Sequence, residues 1–566
     1  MSGLRLEAGA LAPRLESRLD ALRAAGFPRR LLAGDDTLWG DDASRRRVVR
    51  DRLGWLAVPA AMRERAAELV AFADDVVRDG FSRVLLLGMG GSSLAPEVLA
   101  RAFGTRPGRL PLAVLDDTSP ASVRAAEAAG DAAHTLVLVA SKSGGTIEVA
   151  SFERACFARA QAALGENAGR AFVAITDPGT ALEAQAKAKG YRRAFANPPD
   201  IGGRYSALSC FGLVPASLLG IDTAELCREA IAERDAFARD GGDALALGVA
   251  LGELALAGRD KLTLVLSPEL APLGAWIEQL VAESTGKDGR GILPVEGEEL
   301  SEPGAYGQDR VFVGVSVGPL PAATAQALDR LAAAGHPVIR WTRERLGEVG
   351  AEFLRWEIAT AVAGAVLGVN PFDEPNVAEA KAATRTVLEQ VAARGSSAAS
   401  EPRARDGALV LHAPSTIDVG GADARAWAAA FLRLLRPGDY AALLAYVHRT
   451  PARHAALARL RQAIRAGTRV ATTLGYGPRY LHSTGQLHKG GPSTGVFLEI
   501  TAEEGDEPIP GEAYGFRVLH DAQAAGDYDV LAAHGLRVAR VHVGGDPDAG
   551  LSRLAEAFES AVGARA

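Results

Sequence analysis

The sequence predicts an α/β protein with two tandem, doubly wound parallel-sheet domains. Each is expected to have three layers, α/β/α, with N-terminal helices before the first and a C-terminal mixed α/β region after the second. Across residues 70–385, short apolar runs alternate with amphipathic or alanine-rich stretches, as in repeated βαβ units. Polar turns separate these runs, and a length of 566 residues suits about three to four domains.

Residues 1–70 are predicted to form an N-terminal helical segment, because "RRRVVRDRLGWL" places apolar residues at helical spacing. The first sheet domain is predicted over residues 71–240. Its strands are expected in four apolar runs that each end in a polar turn: RVLLLG (83–88), LAVLDD (112–117), TLVLVAS (135–141) and FVAITD (172–177).

The second sheet domain is predicted over residues 241–392. Its expected strands are KLTLVLS (261–267), RVFVGVSV (310–317) and HPVIRW (336–341). Residues 393–407, rich in Ser, Ala, Pro and charge, are predicted to be a surface linker. Residues 408–566 form the predicted mixed region, with helices through about residue 467 and strands in ALVLHA, RVATTLGYG, GVFLEIT and RVARVHV.

The composition is that of a soluble globular protein, with 48% hydrophobic residues, 23% charged residues and a net charge of −7. No basic cluster indicates a nucleic-acid partner. The apolar, uncharged run "IATAVAGAVLGV" near residue 360 is shorter than the ~20 residues that a membrane helix needs. Three cysteines without a CxxC pair fit a reducing compartment. The N-terminus lacks the apolar core of a signal peptide, so we expect a cytoplasmic protein without a nucleic-acid or membrane partner.

A glycine-rich turn joins the first strand to a helix in "LLLGMGGSSLAPEVL" (85–99). Small residues such as Gly91 let backbone amides approach a ligand, and Ser92 stands where the helix begins, so the turn suits an anion. The stretch lacks both the third glycine of a dinucleotide fingerprint and the GK[ST] of a P-loop. A plain strand-to-helix turn with a capping serine is the alternative.

Three hydroxyl groups follow the third strand in "VASKSGGTIEV" (139–149). Ser141, Ser143 and Thr146 lie beside two glycines and Lys142, just where a helix is expected to begin. Such a cluster suits a phosphomonoester better than a flat cofactor. The alternative is a polar loop with a capping threonine. Neighbouring strands of a doubly wound sheet end at one crevice, so the two loops are expected to lie close together.

Three further charged side chains carry chemistry only in context. Arg204 follows the glycine pair that ends at Gly203, and an arginine there suits an anionic intermediate. Gln279 and Glu283 are four residues apart on one helix face, with Glu283 in the last turn, where a carboxylate can act as a general base. Lys381 follows "NPFDEP" in a helix that starts near Pro375. For each residue alone, a solvated surface position is the alternative.

Two histidines lie six residues apart in "YLHSTGQLHKGGP" (480–492), where His488 and the lysine directly precede a glycine pair. A metal site, a nucleotide loop and an acid–base group are the three readings of this stretch. No acidic or histidine partner stands at metal-ligand spacing, which disfavours a metal.

Together these separated motifs resemble the glucose-6-phosphate isomerase family, which has two sugar-isomerase (SIS) domains. The resemblance covers about residues 50–550 of the sequence. Within the family, the stretches "RLGWL", "NPFDEPNV", "RYLHSTGQLHKGGP" and "IPGEAYGF" are similar to the isomerase part of bacterial transaldolase/glucose-6-phosphate isomerase fusion proteins. No transaldolase domain is present in the sequence.

The resemblance implies roles for residues at matching positions. A phosphate-binding set is implied at Gly91, Ser92, Ser141, Lys142 (through its backbone amide), Ser143 and Thr146. Gly203 and Arg204 are implied to support an enediolate, Glu283 to be the base with Gln279 beside it, and Lys381 to assist ring opening. The C-terminal region is expected to complete the active site.

Two departures from the family pattern stand out. Glu374 replaces the glutamine that many relatives have after "FD", and the ring-opening histidine that relatives have soon after the base is missing there. Because "LHSTGQ" is similar to the segment that holds this histidine in bacterial isomerases, we assign ring opening to His482. His488 and a purely structural loop are the other candidates.

The implied activity is the reversible interconversion of glucose 6-phosphate and fructose 6-phosphate through a cis-enediol, as in glycolysis and gluconeogenesis. No cofactor or metal is implied, and a homodimer is expected. Two alternatives stay open at this point. One is an isomerase that also accepts mannose 6-phosphate, and the other is a non-catalytic SIS protein that binds a sugar phosphate.

Overall fold

The computed structural model describes residues 3–394 and 401–564, apart from the side chains of residues 377, 378, 380 and 391–394. The described residues form two compact units. The first unit comprises those within Met1–Asp116, Ala125–Gly297 and Val311–Asp373. The second comprises those within Asp117–Arg124, Glu298–Arg310 and Glu374–Ala566.

Ten strands precede residue 350 in the part of the chain that the structure describes. They are β1 (Arg5–Glu7), β2 (Arg83–Leu87), β3 (Leu112–Leu115), β4 (Thr135–Ala140), β5 (Phe172–Thr176), β6 (Arg193–Ala196), β7 (Lys261–Leu266), β8 (Leu293–Val295), β9 (Arg310–Val317) and β10 (Val338–Arg343). All seven apolar runs predicted as strands in this part of the chain are strands. Strands β1, β6 and β8 were not predicted, because each has only three or four residues.

Fifteen α-helices accompany these strands within the described residues. They are α1 (Ala12–Ala24), α2 (Phe27–Leu32), α3 (Ala43–Arg50), α4 (Val58–Glu64), α5 (Ala66–Arg78), α6 (Leu94–Phe103), α7 (Pro120–Ala128), α8 (Ile147–Leu164), α9 (Ala181–Ala188), α10 (Cys210–Leu219), α11 (Thr223–Asp240), α12 (Gly242–Leu256), α13 (Leu273–Thr285), α14 (Ala322–Ala333) and α15 (Val349–Leu367). Helices α1–α5 are the N-terminal helices of the predicted fold class, whereas the predicted bound of the helical segment at residue 70 falls within α5.

The first sheet has the strand order β3-β2-β4-β5-β6, and all its pairs are parallel. Every residue of β4 and β5 is buried, as expected for parallel strands covered by helices on both faces. The second sheet has the order β1-β10-β9-β7-β8, in which β1 joins the edge antiparallel to β10. The pairs β10–β9 and β7–β8 are parallel.

The second unit contains the remaining elements. Its strands are β11 (Ala404–Asp406), β12 (Leu409–His412), β13 (Tyr440–Tyr446), β14 (Ala471–Tyr476), β15 (Gly495–Ala502) and β16 (Arg537–Val543). Its helices are α16 (Val377–Arg394), α17 (Ala424–Leu434), α18 (Pro451–Thr468), α19 (Gly485–Gly490), α20 (Phe516–Ala533) and α21 (Pro547–Gly563). They enclose an apolar core of their own.

The sheet of the second unit is mixed, with the order β11-β12-β16-β15-β13-β14. Strands β14, β13, β15 and β16 are parallel, and β12 and β11 continue the sheet antiparallel. This confirms the mixed C-terminal region. The inner strand β13 was taken for helix, because "YAALLAY" is rich in Ala and Leu and has no β-branched residue.

Two distant chain segments, Asp117–Arg124 and Glu298–Arg310, complete this second unit. From the first, Ser119 Oγ donates to Glu504 Oε2 at 2.5 Å, and Ser122 Oγ lies 2.7 Å from His448 Nδ1. From the second, Ser301 Oγ accepts from Arg465 Nη2 at 2.7 Å. The second unit is therefore built from three separate parts of the sequence.

The predicted domain boundaries divide the chain more finely than these two units do, and they remain a prediction. Of the predicted linker 393–407, residues 395–400 lie outside the described residues, and Ala404–Asp406 forms strand β11. Within the described ranges, no helix has both the length and the apolar character needed to cross a bilayer.

Candidate active site

The glycine turn and the hydroxyl loop lie at one edge of the first sheet. Strands β2 and β4 are parallel neighbours, with Leu87 opposite Val139 near their carboxyl ends. The glycine turn follows β2, and the hydroxyl loop follows β4. Both loops leave the sheet from adjacent strands in the same direction, which supports the prediction that they lie close together.

The hydroxyl loop presents a small polar cluster before helix α8. Ser141 Oγ and Thr146 Oγ1 are hydrogen-bonded at 3.1 Å, and Ser143 Oγ accepts from the Gly145 amide at 3.3 Å. Thr146 stands at the N-cap position of α8, but its side chain does not cap the helix. The hydroxyl groups therefore group together rather than serve only as helix caps.

The side chain of Lys142 is engaged within the fold. It forms an ion pair with Asp177 and donates to the Pro199 carbonyl oxygen at 3.1 Å. Burial raises the pKa of Asp177, while the nearby ammonium group acts in the opposite direction. An ammonium group held in this way is consistent with the implied role for Lys142, in which its backbone amide contacts the ligand.

The glycine turn touches a second turn at Gly91. A Cβ atom added there would lie 2.0 Å from the Gly203 carbonyl oxygen, a distance that real side chains do not adopt. Ser206 Oγ donates to the Gly91 carbonyl oxygen at 3.3 Å, which ties the same two turns. Only glycine at position 91 allows this approach, and it brings Ser92 and Arg204 into neighbouring backbone segments.

Arg204 is 2% exposed, and its guanidinium group is surrounded by acceptors. Nη1 donates to Glu283 Oε1 at 2.9 Å and Nε to Ser284 Oγ at 2.8 Å. Nη2 donates to the carbonyl oxygens of Pro371 and Asp373, each at 2.8 Å. The surface alternative for Arg204 is wrong, because these acceptors hold it in the interior.

Glu283 lies in the last turn of α13, with Gln279 one turn earlier on the same face. Gln279 Nε2 donates to Glu283 Oε2 at 3.0 Å. The two residues are 4% and 9% exposed, respectively, so the surface alternative is wrong for them as well. Each carboxylate oxygen of Glu283 thus accepts a hydrogen bond, one from a guanidinium group and one from an amide.

Sequence reasoning missed several residues that support this ion pair. Ser284 was not among the predicted site residues, yet its Oγ accepts from Arg204 Nε, and the Tyr205 hydroxyl lies 3.3 Å from the same oxygen. Burial raises the pKa of Tyr205, so its hydroxyl group stays protonated. The backbone carbonyl groups of "NPFD" cannot be predicted as acceptors for Arg204 from a side-chain pattern. Only the position of "NPFD" shortly before Lys381 associates it with the site.

Lys381 and His482 belong to the second unit. Lys381 is exposed on α16, and His482 is partly exposed at the end of a 3₁₀ turn, Arg479–His482, that contacts α16. Two hydrogen bonds tie their segments: Asn376 N donates to Gln486 Oε1 at 2.9 Å, and Gln486 Nε2 donates to Asn376 Oδ1 at 2.8 Å. The second unit therefore places the lysine and the histidine on neighbouring elements.

His488 is in a very different environment from His482. It is 3% exposed and surrounded by the rings of Tyr440, Tyr480 and Phe497, with centroid distances of 6.1, 6.1 and 5.1 Å. Neither ring nitrogen has a hydrogen-bond partner among the described residues. Burial lowers the pKa of the His488 ring to about 3, so it stays neutral. A ring without proton partners is poorly suited to move protons.

Buried charges flank the histidine segment. Asp527 of α20 accepts from the Tyr480 hydroxyl at 2.6 Å and pairs with the Lys489 ammonium group at 2.5 Å. All three side chains are buried. In residues 3–394 and 401–564, no three His, Cys, Asp or Glu side chains are grouped as metal ligands.

Comparisons with known proteins agree on one family. The sequence model for phosphoglucose isomerase matches residues 65–290, which include the two loops, Arg204 and Glu283. A glucose-6-phosphate isomerase of Rubrobacter xylanophilus is 31% identical over 401 residues, which are 60% of this chain and 89% of that protein. One of Thermus thermophilus is 30% identical over 429 residues, which are 66% of this chain and 99% of that protein.

A solved structure is similar in fold. The crystal structure of a glucose-6-phosphate isomerase from Chlamydia trachomatis aligns with a TM-score of 0.54 and 19% identity. The alignment covers 66% of this chain and 86% of that one. The alignments to these three proteins thus cover 60–66% of this chain.

We predict that Gly91→Ala reduces catalytic turnover about 100-fold, because the new methyl group would push the Arg204 turn away by about 1 Å. Gly202→Ala is the matched control. It lies in the same turn with extended backbone, and its Cβ would meet its nearest neighbours at 3.7 Å. Steady-state kinetics on both variants test this, and equal turnover in both would contradict it.

We also predict that His488→Met makes the protein less sensitive to acid. The native ring stays neutral down to pH about 3 but is protonated below about 6.5 when unfolded, so the native state loses stability as the pH falls through this window. Between pH 7.5 and 5.0 the free energy of unfolding should fall by about 2 kcal/mol less in the variant. Urea unfolding at both pH values measures this, and equal losses would contradict it.

Proposed function

Because the chain belongs to the phosphoglucose isomerase family, we propose that it catalyses the reversible interconversion of glucose 6-phosphate and fructose 6-phosphate. The observation that carries this proposal is the buried ion pair between Arg204 and Glu283, in which the turn of Arg204 touches the glycine turn after β2. A protein that only bound a sugar phosphate would need the hydroxyl loop but would have no use for this carboxylate.

The proposed chemistry begins with binding and ring opening. The hydroxyl groups and backbone amides of the two loops hold the phosphate group, as their position at a helix start favours. His482, with Lys381, transfers protons between the ring oxygen and O1 of the sugar and so opens the ring. The burial of His488 and its lack of hydrogen-bond partners among the described residues support the choice of His482.

Isomerisation then takes place at C1 and C2. Glu283 removes the proton from C2 as the C1 carbonyl oxygen gains a proton, which leaves a cis-enediol with a double bond between C1 and C2. The same carboxyl group returns the proton to C1 while O2 loses its proton and becomes the ketone. Arg204 stabilises the negative charge that develops on the oxygens, and its hydrogen bond fixes the orientation of the base.

The first experiment is turnover of fructose 6-phosphate, with glucose 6-phosphate formation coupled to NADP reduction in the presence of EDTA. We expect turnover, and it should persist with the chelator because the carboxylate carries the proton in both directions. Binding of fructose 6-phosphate without turnover, detected as a raised melting temperature, would contradict the proposal. The homodimer, the cytoplasmic location and the similarity to fusion proteins stay predictions.

Glu283→Gln should lower turnover about 10²- to 10⁴-fold, because an amide cannot accept the C2 proton. The exchange of α- and β-glucose 6-phosphate should continue, since it needs only ring opening and closure. The coupled assay measures isomerisation, and NMR line shapes of the anomeric protons measure the exchange. Near wild-type isomerisation in the variant would show that another group is the base.

His482→Ala should slow both reactions on glucose 6-phosphate, because each requires an open ring. A loss of about 10²-fold is expected for a group that transfers protons. His488→Met serves as the matched control from the same stretch and should retain both activities. If His488→Met is the slower variant, the assignment of ring opening to His482 is wrong.

A further inference from the structure

Lys287 is a buried lysine two residues beyond the helix that carries Glu283. It is 3% exposed. Its ammonium group donates to the Asn370 carbonyl oxygen at 2.5 Å and pairs with Asp373 Oδ1 at 2.8 Å. A buried ammonium group is costly unless it is paired and hydrogen-bonded, so these contacts form a specific link between Lys287 and residues 370–373.

Residues 370–373, the "NPFD" loop, are also held by their own side chains. Asn370 Nδ2 donates to Asp373 Oδ2 at 3.1 Å, and Asn370 Oδ1 accepts from the Phe372 amide at 3.1 Å. Asp373 thus receives Lys287 on one oxygen and Asn370 on the other. These bonds fix the direction of the peptide groups within the loop.

Two peptide groups of this loop hold the guanidinium group of Arg204. Its Nη2 donates to the carbonyl oxygens of Pro371 and Asp373, each at 2.8 Å. The opposite nitrogen, Nη1, donates to Glu283 Oε1 at 2.9 Å. A continuous path of hydrogen bonds therefore runs from Lys287 through the NPFD loop and Arg204 to Glu283.

We infer that Lys287 is a positioning residue for Arg204, and through it for the carboxylate of Glu283. The inference rests on the proposed function only for its kinetic consequences. Lys287 holds the NPFD loop, and the loop supplies the acceptors that orient the guanidinium group. Without the ammonium group, Asp373 loses its charged partner, the two carbonyl oxygens lose their fixed direction, and the ion pair with Glu283 loosens.

The inference is tested with Lys287→Met, which keeps the length and apolar stem of the side chain but removes its charge. Lys261→Met is the matched control, because Lys261 is likewise a buried lysine, 1% exposed, whose ammonium group pairs with a carboxylate, that of Asp260, at 2.7 Å. For Lys287→Met we expect kcat to fall about 10- to 100-fold, because a small misplacement of reacting groups is that costly. KM should change little, since the hydroxyl loop is not part of the path.

The pH profile separates positioning from a general loss of stability. A loosened ion pair leaves the base further from a positive charge, which raises its pKa. The acidic limb of kcat/KM should therefore move to higher pH by about one unit in Lys287→Met and stay in place in Lys261→Met. Wild-type kcat and an unmoved acidic limb in folded Lys287→Met would overturn the inference.

Two further measurements test the inference if Lys287→Met does not fold or if the wild-type protein shows no turnover. If Lys287→Met does not fold, Asp373→Asn removes the same ion pair at a more exposed side chain and should show the same limb shift in weaker form. If the wild-type protein shows no turnover, the proposed function fails, and amide hydrogen exchange decides the inference alone. Exchange over residues 203–206 should then be faster in Lys287→Met than in Lys261→Met, and equal exchange would overturn it.

Discussion

The arrangement of the first unit depends on one buried ion pair, between Arg204 and Glu283. Removing two such charges from water costs several kcal/mol per ion, and their mutual attraction offsets this only when the remaining polar groups are also satisfied. Here Gln279, Ser284 and the carbonyl oxygens of the NPFD loop provide that satisfaction. The ion pair thus explains why distant parts of the chain converge at the end of α13.

Geometry around this pair leaves little freedom for the backbone. The turn that carries Arg204 lies against the glycine turn so closely that position 91 admits no side chain. The two turns therefore limit each other's position, and the sheet sets where the loops that follow β2 and β4 begin. The strands thus determine where the glycine turn and the hydroxyl loop place their amide and hydroxyl groups.

Much of this was predictable from the sequence, because the signals were local. The strands of the parallel sheets appear as short apolar runs, and a spacing of four residues correctly placed Gln279 and Glu283 on one helix face. What escaped prediction is non-local. Arg204 is held by backbone carbonyls 167 and 169 residues away, and no side-chain pattern records such acceptors.

The functions of His482 and His488 also depend on non-local contacts that the sequence pattern does not record. Sequence alone ranks them only by similarity of their neighbours, whereas burial against three aromatic rings distinguishes His488 from the partly exposed His482. Strand β13 was missed for a related reason. Its Ala and Leu residues favour helix locally, and only its position between β14 and β15 makes it a strand.

The composition of the second unit from three separate segments affects how the protein is made. During synthesis, residues 117–124 and 298–310 emerge well before the strands and helices that they join. The hydroxyl groups of Ser119 and Ser301 thus cannot form these two hydrogen bonds until Glu504 and Arg465 have been translated. A polypeptide cut after residue 373 would carry both segments permanently without their partners, so the two units cannot be separated by a single cut in the gene.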